Sequence, residues 1–274
     1  MKPPSLAQTL RRSAGRLRHR WSLPYATFAG PPAGGSVSDL FLWRQEGGGT
    51  RFVAENTLAL LTGDPINVKH RLTFFDADGT LFQEMDWLSS EIYTTIEPGD
   101  LGLPLGTFIH ATFYERSSLP PQTKALLGLQ RAHRGYCAYR RQPTSVWSSV
   151  HGNVGGITNG ATDADHHHEL LARRRRKFLY TPQVHLHNSQ TVRLFFLNPC
   201  RQAESISIFL NSVDATSPSA EPLHTLLVPS LGVRSCILQG KDGYLTCLSR
   251  LPMCRPLVFV EEAGTSDHFD VFHT

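Results

Sequence analysis

The chain writes one pattern twice. Around Phe52 it reads Phe-Val-Ala-Glu-Asn-Thr-Leu-Ala-Leu-Leu-Thr-Gly-Asp-Pro, ending at Pro65. Around Val184 it reads Val-His-Leu-His-Asn-Ser-Gln-Thr-Val-Arg-Leu-Phe-Phe-Leu-Asn-Pro, ending at Pro199. Each copy has alternating apolar residues, an Asn (Asn56, Asn188), an apolar run and a polar turn closed by Pro. Each continues into a second alternating run, His70–Phe75 and Ser205–Leu210, and later reaches Ile96-Glu97-Pro98 or Leu227-Val228-Pro229. Matched order at a long period is what a duplicated unit leaves in a sequence. The unit here is built of strands, so the pattern constrains architecture and leaves function open.

Between Ser36 and Ser118 the chain reads as short strands near 37–43, 52–61, 69–75, 81–87, 92–96 and 107–115. They are rich in Thr, Phe, Tyr, Ile and Val, which suit a pleated, half-buried surface. Turn residues separate them, at Gly47–Gly49, Gly63-Asp64-Pro65, Asp78-Gly79 and Pro98-Gly99-Asp100. From Lys177 onward the pattern returns, with strands expected near 191–198, 204–210, 223–228, 233–238, 244–248, 257–261 and 269–272. Closely spaced strands without intervening helices predict an all-β fold. The expected form is two tandem antiparallel β-sandwich-like domains, 36–118 and 178–274. One connecting helix and a long central loop join them over 119–177. Pro120-Pro121 is placed to start the helix and Gly135 to end it.

Residues 1–35 form a basic arm and linker. No Asp or Glu occurs in residues 1–38. Leu6, Leu10, Ala14, Leu17 and Trp21 share one helical face, with arginines largely elsewhere. Two readings stand: a helix for peripheral membrane or partner contact, or a tail packed loosely on its own domain. The formal net charge of +4 is too small to imply specific nucleic-acid binding. Five Cys occur, none in Cys-x-x-Cys spacing, and several lie in apolar runs. They read as reduced core thiols of a cytoplasmic protein.

Leu72-Thr-Phe-Phe-Asp-Ala-Asp-Gly-Thr-Leu81 resembles the first motif of haloacid-dehalogenase-type phosphatases. That resemblance implies a magnesium-dependent enzyme with Asp76 as nucleophile and Asp78 as general acid/base. The surroundings favour a β-hairpin, because the next residues read as a returning strand, and Asp and Gly are turn residues. The central string Trp147-Ser-Ser-Val-His-Gly-Asn-Val-Gly-Gly156 concentrates aromatic and hydrogen-bonding groups among glycines. His185 and His187, two apart, fall on one strand face. Such a pair can ligate a metal with a third residue such as His151 or His110, but solvent-facing strand histidines are the expectation, with no metal and no cofactor. Trp147, His151, Asn153, His185 and His187 are the candidate binding residues. Loops carried on rigid sheets are where binding concentrates.

The second half also resembles the small β-sandwich of sensory-rhodopsin-transducer-like proteins. The resemblance runs through Thr191–Asn198, Glu204–Leu210, Leu226-Leu-Val-Pro229, Val233–Leu238 and Leu251–Val260, with Phe74-Phe75-Asp76 at the matching hairpin of the first half. It implies a sandwich that binds a protein partner or small polar ligand, forms homo-oligomers and is not an enzyme. The expectation is therefore a non-enzymatic cytoplasmic binding or scaffold module for a partner protein or a small polar ligand, carbohydrate included. The alternative is the phosphatase using Asp76 and Asp78.

Overall fold

The computed structural model describes residues 35–46, 48–97, 101–114, 119–122, 135–151, 157–158, 178–182, 184–199, 202–211, 221–251, 256–262 and 269–273. In chain order the first half contains β1 (Gly35–Arg44), β2 (Thr50–Glu55), α1 (Thr57–Thr62), β3 (Val68–Asp76), β4 (Leu81–Ser89), β5 (Tyr93–Ile96), β6 (Leu105–Tyr114), β7 (Tyr136–Tyr139), β8 (Ser148–His151) and β9 (Ile157–Thr158). The second half contains β10 (Phe178–Tyr180), β11 (His185–Leu186), β12 (Gln190–Leu197), β13 (Glu204–Asn211), β14 (His224–Val228), β15 (Val233–Gln239), β16 (Gly243–Ser249), β17 (Leu257–Glu262) and β18 (Phe269–His273). The fold is all-β, and every described strand pairing is antiparallel. Among the described residues no helix is long and apolar enough to cross a membrane. The basic arm, Asn153, His166–Glu169, Arg173–Lys177, and the expected connecting helix beyond Gln122 lie outside the described residues.

Four sheets form among the described residues, and their strand orders correspond. The first half has β4-β3-β6-β1-β9 and β5-β2-β7-β8; the second has β10-β16-β13-β14 and β15-β12-β17-β18. Adding ten to each strand number of the first half, β1 and β9 aside, gives the order of the second; β1 itself holds the place of β10, each flanking the strand next to β3 or β13. The stretch from Tyr136, read from sequence as loop, supplies β7 and β8. These are too short for a clear alternation, yet Cys137, Ala138, Tyr139 and Val150 are buried and pair the chain into the sheet beside β2.

The sequence expectation of one strand over 52–61 also changes. Glu55 ends β2, and Asn56 caps α1 by accepting from the Ala59 N–H. Strand order pairs Asn56 with Asn198, the residue after β12, rather than with Asn188. Both asparagines are fully buried and tie a strand end to backbone carbonyls. Asn56 Nδ2 donates to Ile66 O at 2.7 Å. Asn198 Nδ2 donates to Gln202 O at 2.9 Å and Val228 O at 3.0 Å. Truncation leaves those carbonyls buried without their donor. Asn198→Ala is therefore expected to cost about 2 kcal/mol, read from the midpoint of urea unfolding; a Gln83→Ala control at an exposed position of β4 should change far less.

The core is continuous between the halves. Along β12, Val192, Leu194 and Phe196 enter the second sandwich, while Phe195 and Leu197 join the core of the first. Val233, Leu257, Phe259 and Val271 extend that second face. A strand buried on both faces carries apolar residues at successive positions instead of alternating, as Leu194–Leu197 does. Tyr139 meets Phe259 edge-on at 5.2 Å, and the buried Arg44 guanidinium lies 4.7 Å above the Phe259 ring.

Candidate functional site

Inside the first sandwich a row of polar rings crosses three strands. Alternation along β3 turns Val68, His70, Leu72 and Phe74 inward. The register sets His70 against Trp87 of β4 on one side and Thr112 of β6 on the other, and sets Leu72 against His110. The rings stack: Trp87 on His70 at 4.8 Å and 17°, His70 on His110 at 5.2 Å and 20°. Phe52 of the facing sheet meets His110 at 5.0 Å. His70 and His110 have no solvent-exposed surface. His70 Nδ1 lies 2.9 Å from His110 Nε2, so one ring donates and the other accepts. Burial pushes the His70 pKa down from 6.5 to about 4, so its imidazole is neutral at neutral pH.

The outer edge of this row is unsatisfied. Five buried side-chain polar atoms lack a hydrogen-bond partner among the described residues, and three of them, His70 Nε2, Trp87 Nε1 and Thr112 Oγ1, belong to this cluster. Buried polar atoms are almost always paired, because an unpaired one costs its desolvation in full. Trp87 is half-buried on β4, an edge strand, so the row of rings ends at the margin of the sheet.

The second half shows that the fold does not demand this chemistry. Val68 and Glu204 each pair with the last residue of the following strand, Ser89 and Val228. In that alignment Ile206 stands for His70, Leu226 for Trp87, Cys247 for His110 and Ser249 for Thr112. Ile206 and Cys247 are fully buried in an apolar core with Leu226 against it. Ser249 Oγ donates to Ser205 O at 2.8 Å, whereas Thr112 Oγ1 is unpaired. The sequence carried a signal for this cluster: a His on the apolar face of an alternating strand at His70, and a second within the Thr107–Glu115 run.

The binding residues read from sequence separate into two groups. Trp147, just before β8, is held between the guanidinium groups of Arg51 and Arg140, at 4.3 and 4.4 Å. Arg51 also pairs with Glu97, and Arg140 Nε donates to Gly48 O at 2.8 Å. His151 is exposed at the end of β8, opposite Tyr136. His185 and His187 lie on the second sandwich, at and just beyond β11. There they approach each other and Asp242: His185 Nδ1 is 3.3 Å from His187 Nε2, and His185 Nε2 is 3.4 Å from Asp242 Oδ1.

Asp76 and Asp78 form the expected hairpin turn. Asp76 Oδ1 accepts from the N–H groups of Asp78 and Thr80 at 2.9 and 2.8 Å, and Gly79 takes φ of +82°. Asp78 pairs with Arg234 at 2.5 Å. β3 runs antiparallel to both neighbours, β4 and β6. The parallel, helix-flanked sheet that carries phosphatase chemistry at such a motif is not the setting of these carboxylates.

No protein-family model matches the chain, and no curated protein matches it. Among solved structures, the oxalate decarboxylase of Lactobacillus farciminis in its formate complex is similar at 11% identity, covering 83% of this chain and 72% of that one, with a TM-score of 0.17. A second oxalate decarboxylase structure is similar at 12% identity, covering 88% of this chain and 67% of that one, with a TM-score of 0.13. Scores this low establish no family for the chain.

Proposed function

We propose that the protein is a non-enzymatic binding module, and that its first sandwich takes a small uncharged polar ligand beside Trp87, His70 and Thr112. The observation that carries the reading is the contrast between the halves. At four matched register positions one half has Trp87, His70, His110 and Thr112, with an unpaired polar atom on Trp87, His70 and Thr112 among the described residues, and the other has Leu, Ile, Cys and a satisfied Ser. Trp87 Nε1 offers a donor, and Thr112 Oγ1 and His70 Nε2 offer an acceptor or a donor. Hydroxyl and amide groups match that set. An anion would find no counter-charge on His70, because burial holds that ring neutral. The corresponding strand orders support an origin by internal duplication, with the ligand site kept in one copy only. A cytoplasmic setting belongs to the same proposal and accords with the reduced, buried thiols of Cys137, Cys236 and Cys247. Burial pushes Cys236 up to about 12, which makes it a poor nucleophile. Self-association and a protein partner are carried forward with it from the transducer-like resemblance.

The test is a thermal-shift and tryptophan-fluorescence titration of the full chain with glycerol, glucose, acetamide and acetate. A neutral member is expected to raise Tm and acetate to leave it unchanged, with the response lost in Trp87→Leu. No response to any neutral member, or a response that Trp87→Leu retains, would overturn the reading.

A further inference from the structure

We propose that His185, His187 and Asp242 form a binding site for a divalent transition metal on the rim of the second sandwich, separate from the ligand cluster of the first. Two short elements bring the three together. β11 adds to the edge of β16, pairing His185 with Tyr244 and Leu186 with Gly243. Asp242 sits in the turn that links β15 to β16, one residue before Gly243. That turn depends on two glycines, Gly240 at φ +61° and Gly243 at φ +136°. A Cβ at Gly243 would lie 2.4 Å from Asn211 O, so the position next to Asp242 accepts only glycine. Tyr244 packs on the His185 ring at 4.8 Å and His187 meets it edge-on at 4.5 Å, which fixes the imidazole facing the carboxylate.

The distances fit an ion. One ligand atom from each residue can be chosen so that all lie within 4.8 Å of one another. A tetrahedral centre with bonds of about 2.0–2.1 Å has ligand atoms roughly 3.3–3.4 Å apart. His185 Nε2 is already 3.4 Å from Asp242 Oδ1. The same nitrogen is shielded from solvent and makes no hydrogen bond among the described residues; its polar neighbour is the Asp242 carboxylate, and a cation between the two would satisfy both. The exposed His187 completes the set. Two imidazoles and one carboxylate suit zinc, cobalt, nickel or copper better than magnesium or calcium, which prefer all-oxygen shells. Three protein ligands leave a fourth position open to water or to a group on a partner. The site is open to solvent on the His187 and Asp242 side, so the ion exchanges without unfolding.

The experiment is calorimetric titration of the metal-free full chain with zinc chloride, followed by the visible spectrum of the cobalt form. Because His166, His167 and His168 offer competing ligands elsewhere in the chain, the triple variant H166A/H167A/H168A is titrated in parallel. We expect a zinc site that survives in the triple variant, weakens at least tenfold in His187→Ala and in Asp242→Ala, and ignores magnesium. Circular dichroism should be unchanged in both single variants, since His187 and Asp242 are exposed. Zinc binding of undiminished affinity in His187→Ala and Asp242→Ala, or no zinc binding by the triple variant, would overturn the assignment.

Discussion

Acidifying the protein from pH 6.5 to pH 4 is expected to remove about 3 kcal/mol of stability through His70 alone, from a pKa that burial lowers from 6.5 to about 4. The folded state holds His70 neutral, while the unfolded chain protonates it with its ordinary pKa. The folded pKa therefore lies below the unfolded one. The contribution is complete above pH 6.5, is lost as the pH falls, and levels off below about 4, where the folded state takes up the proton as well. Protonation also fixes the direction of the pair: a doubly protonated His70 can only donate from Nδ1, so His110 Nε2 has to accept. Asp86 acts in a separate window. Hydrogen bonding from Arg71 holds its carboxyl down from 3.8 to about 2, so its contribution is lost only below the His70 range. Its partial exposure keeps that contribution small. Urea unfolding at half-unit steps of pH reads the profile; stability that stays flat from pH 6.5 to pH 4 would contradict the burial of a neutral His70.

The second large effect lies at the contact between the halves. Gly79→Ala is expected to cost roughly 3 kcal/mol or more, by combining a positive φ with overpacking. Gly79 has φ of +82°, and a Cβ there would fall 1.8 Å from Ser230 O. The β3–β4 turn is seated on the β14–β15 connection. Ala77 O accepts from the Val233 N–H at 3.0 Å and from Arg234 Nη1 at 2.8 Å. Gly232 faces the same turn, with Ala77 O 2.5 Å from where its Cβ would be. Thr107 Oγ1 donates to Leu231 O beside it. Gly63 provides the control: its φ is +73° but nothing among the described residues lies within 4 Å of its Cβ position. Gly63→Ala should therefore cost only the conformational part, on the order of 1 kcal/mol. Equal midpoint shifts for the two variants would show that the turn is not packed against the second half.

The all-β class was legible because alternation and turn residues are local signals. The hairpin at Asp76–Gly79 was legible for the same reason: Asx geometry and a glycine with positive φ are written in the four residues themselves. The short helix after Asn56 was not. Thr57-Leu-Ala-Leu-Leu-Thr reads equally well as strand, and what decides it is the side chain of Asn56 reaching the Ala59 N–H. The same ambiguity misaligned the repeat, setting Asn188 where strand order places Asn198. β7 and β8 escaped because four-residue strands owe their existence to partners far along the chain. His185 and His187 were read as sharing a face, and they do meet. Asp242 was not legible, because a β16 pairing more than fifty residues away brings it there. His70, Trp87 and His110 are separated by 17 and 23 residues in sequence, and only the β4-β3-β6 register stacks them.

The central claim is that this stacked cluster serves a ligand and is not required by the fold. The most direct measurement is the stability at pH 7 of the double variant His70→Ile/His110→Leu beside the single variant His70→Ile. Removing one partner of a buried pair strands the other, whereas replacing both by apolar groups of similar shape is close to neutral. The account predicts a loss of roughly 2 kcal/mol in the single variant and no larger a loss in the double, with the fall in stability between pH 6.5 and 4 abolished in the double. A double variant that loses more than the single one would show that the histidine pair is a structural element of the first sandwich, and would contradict the account.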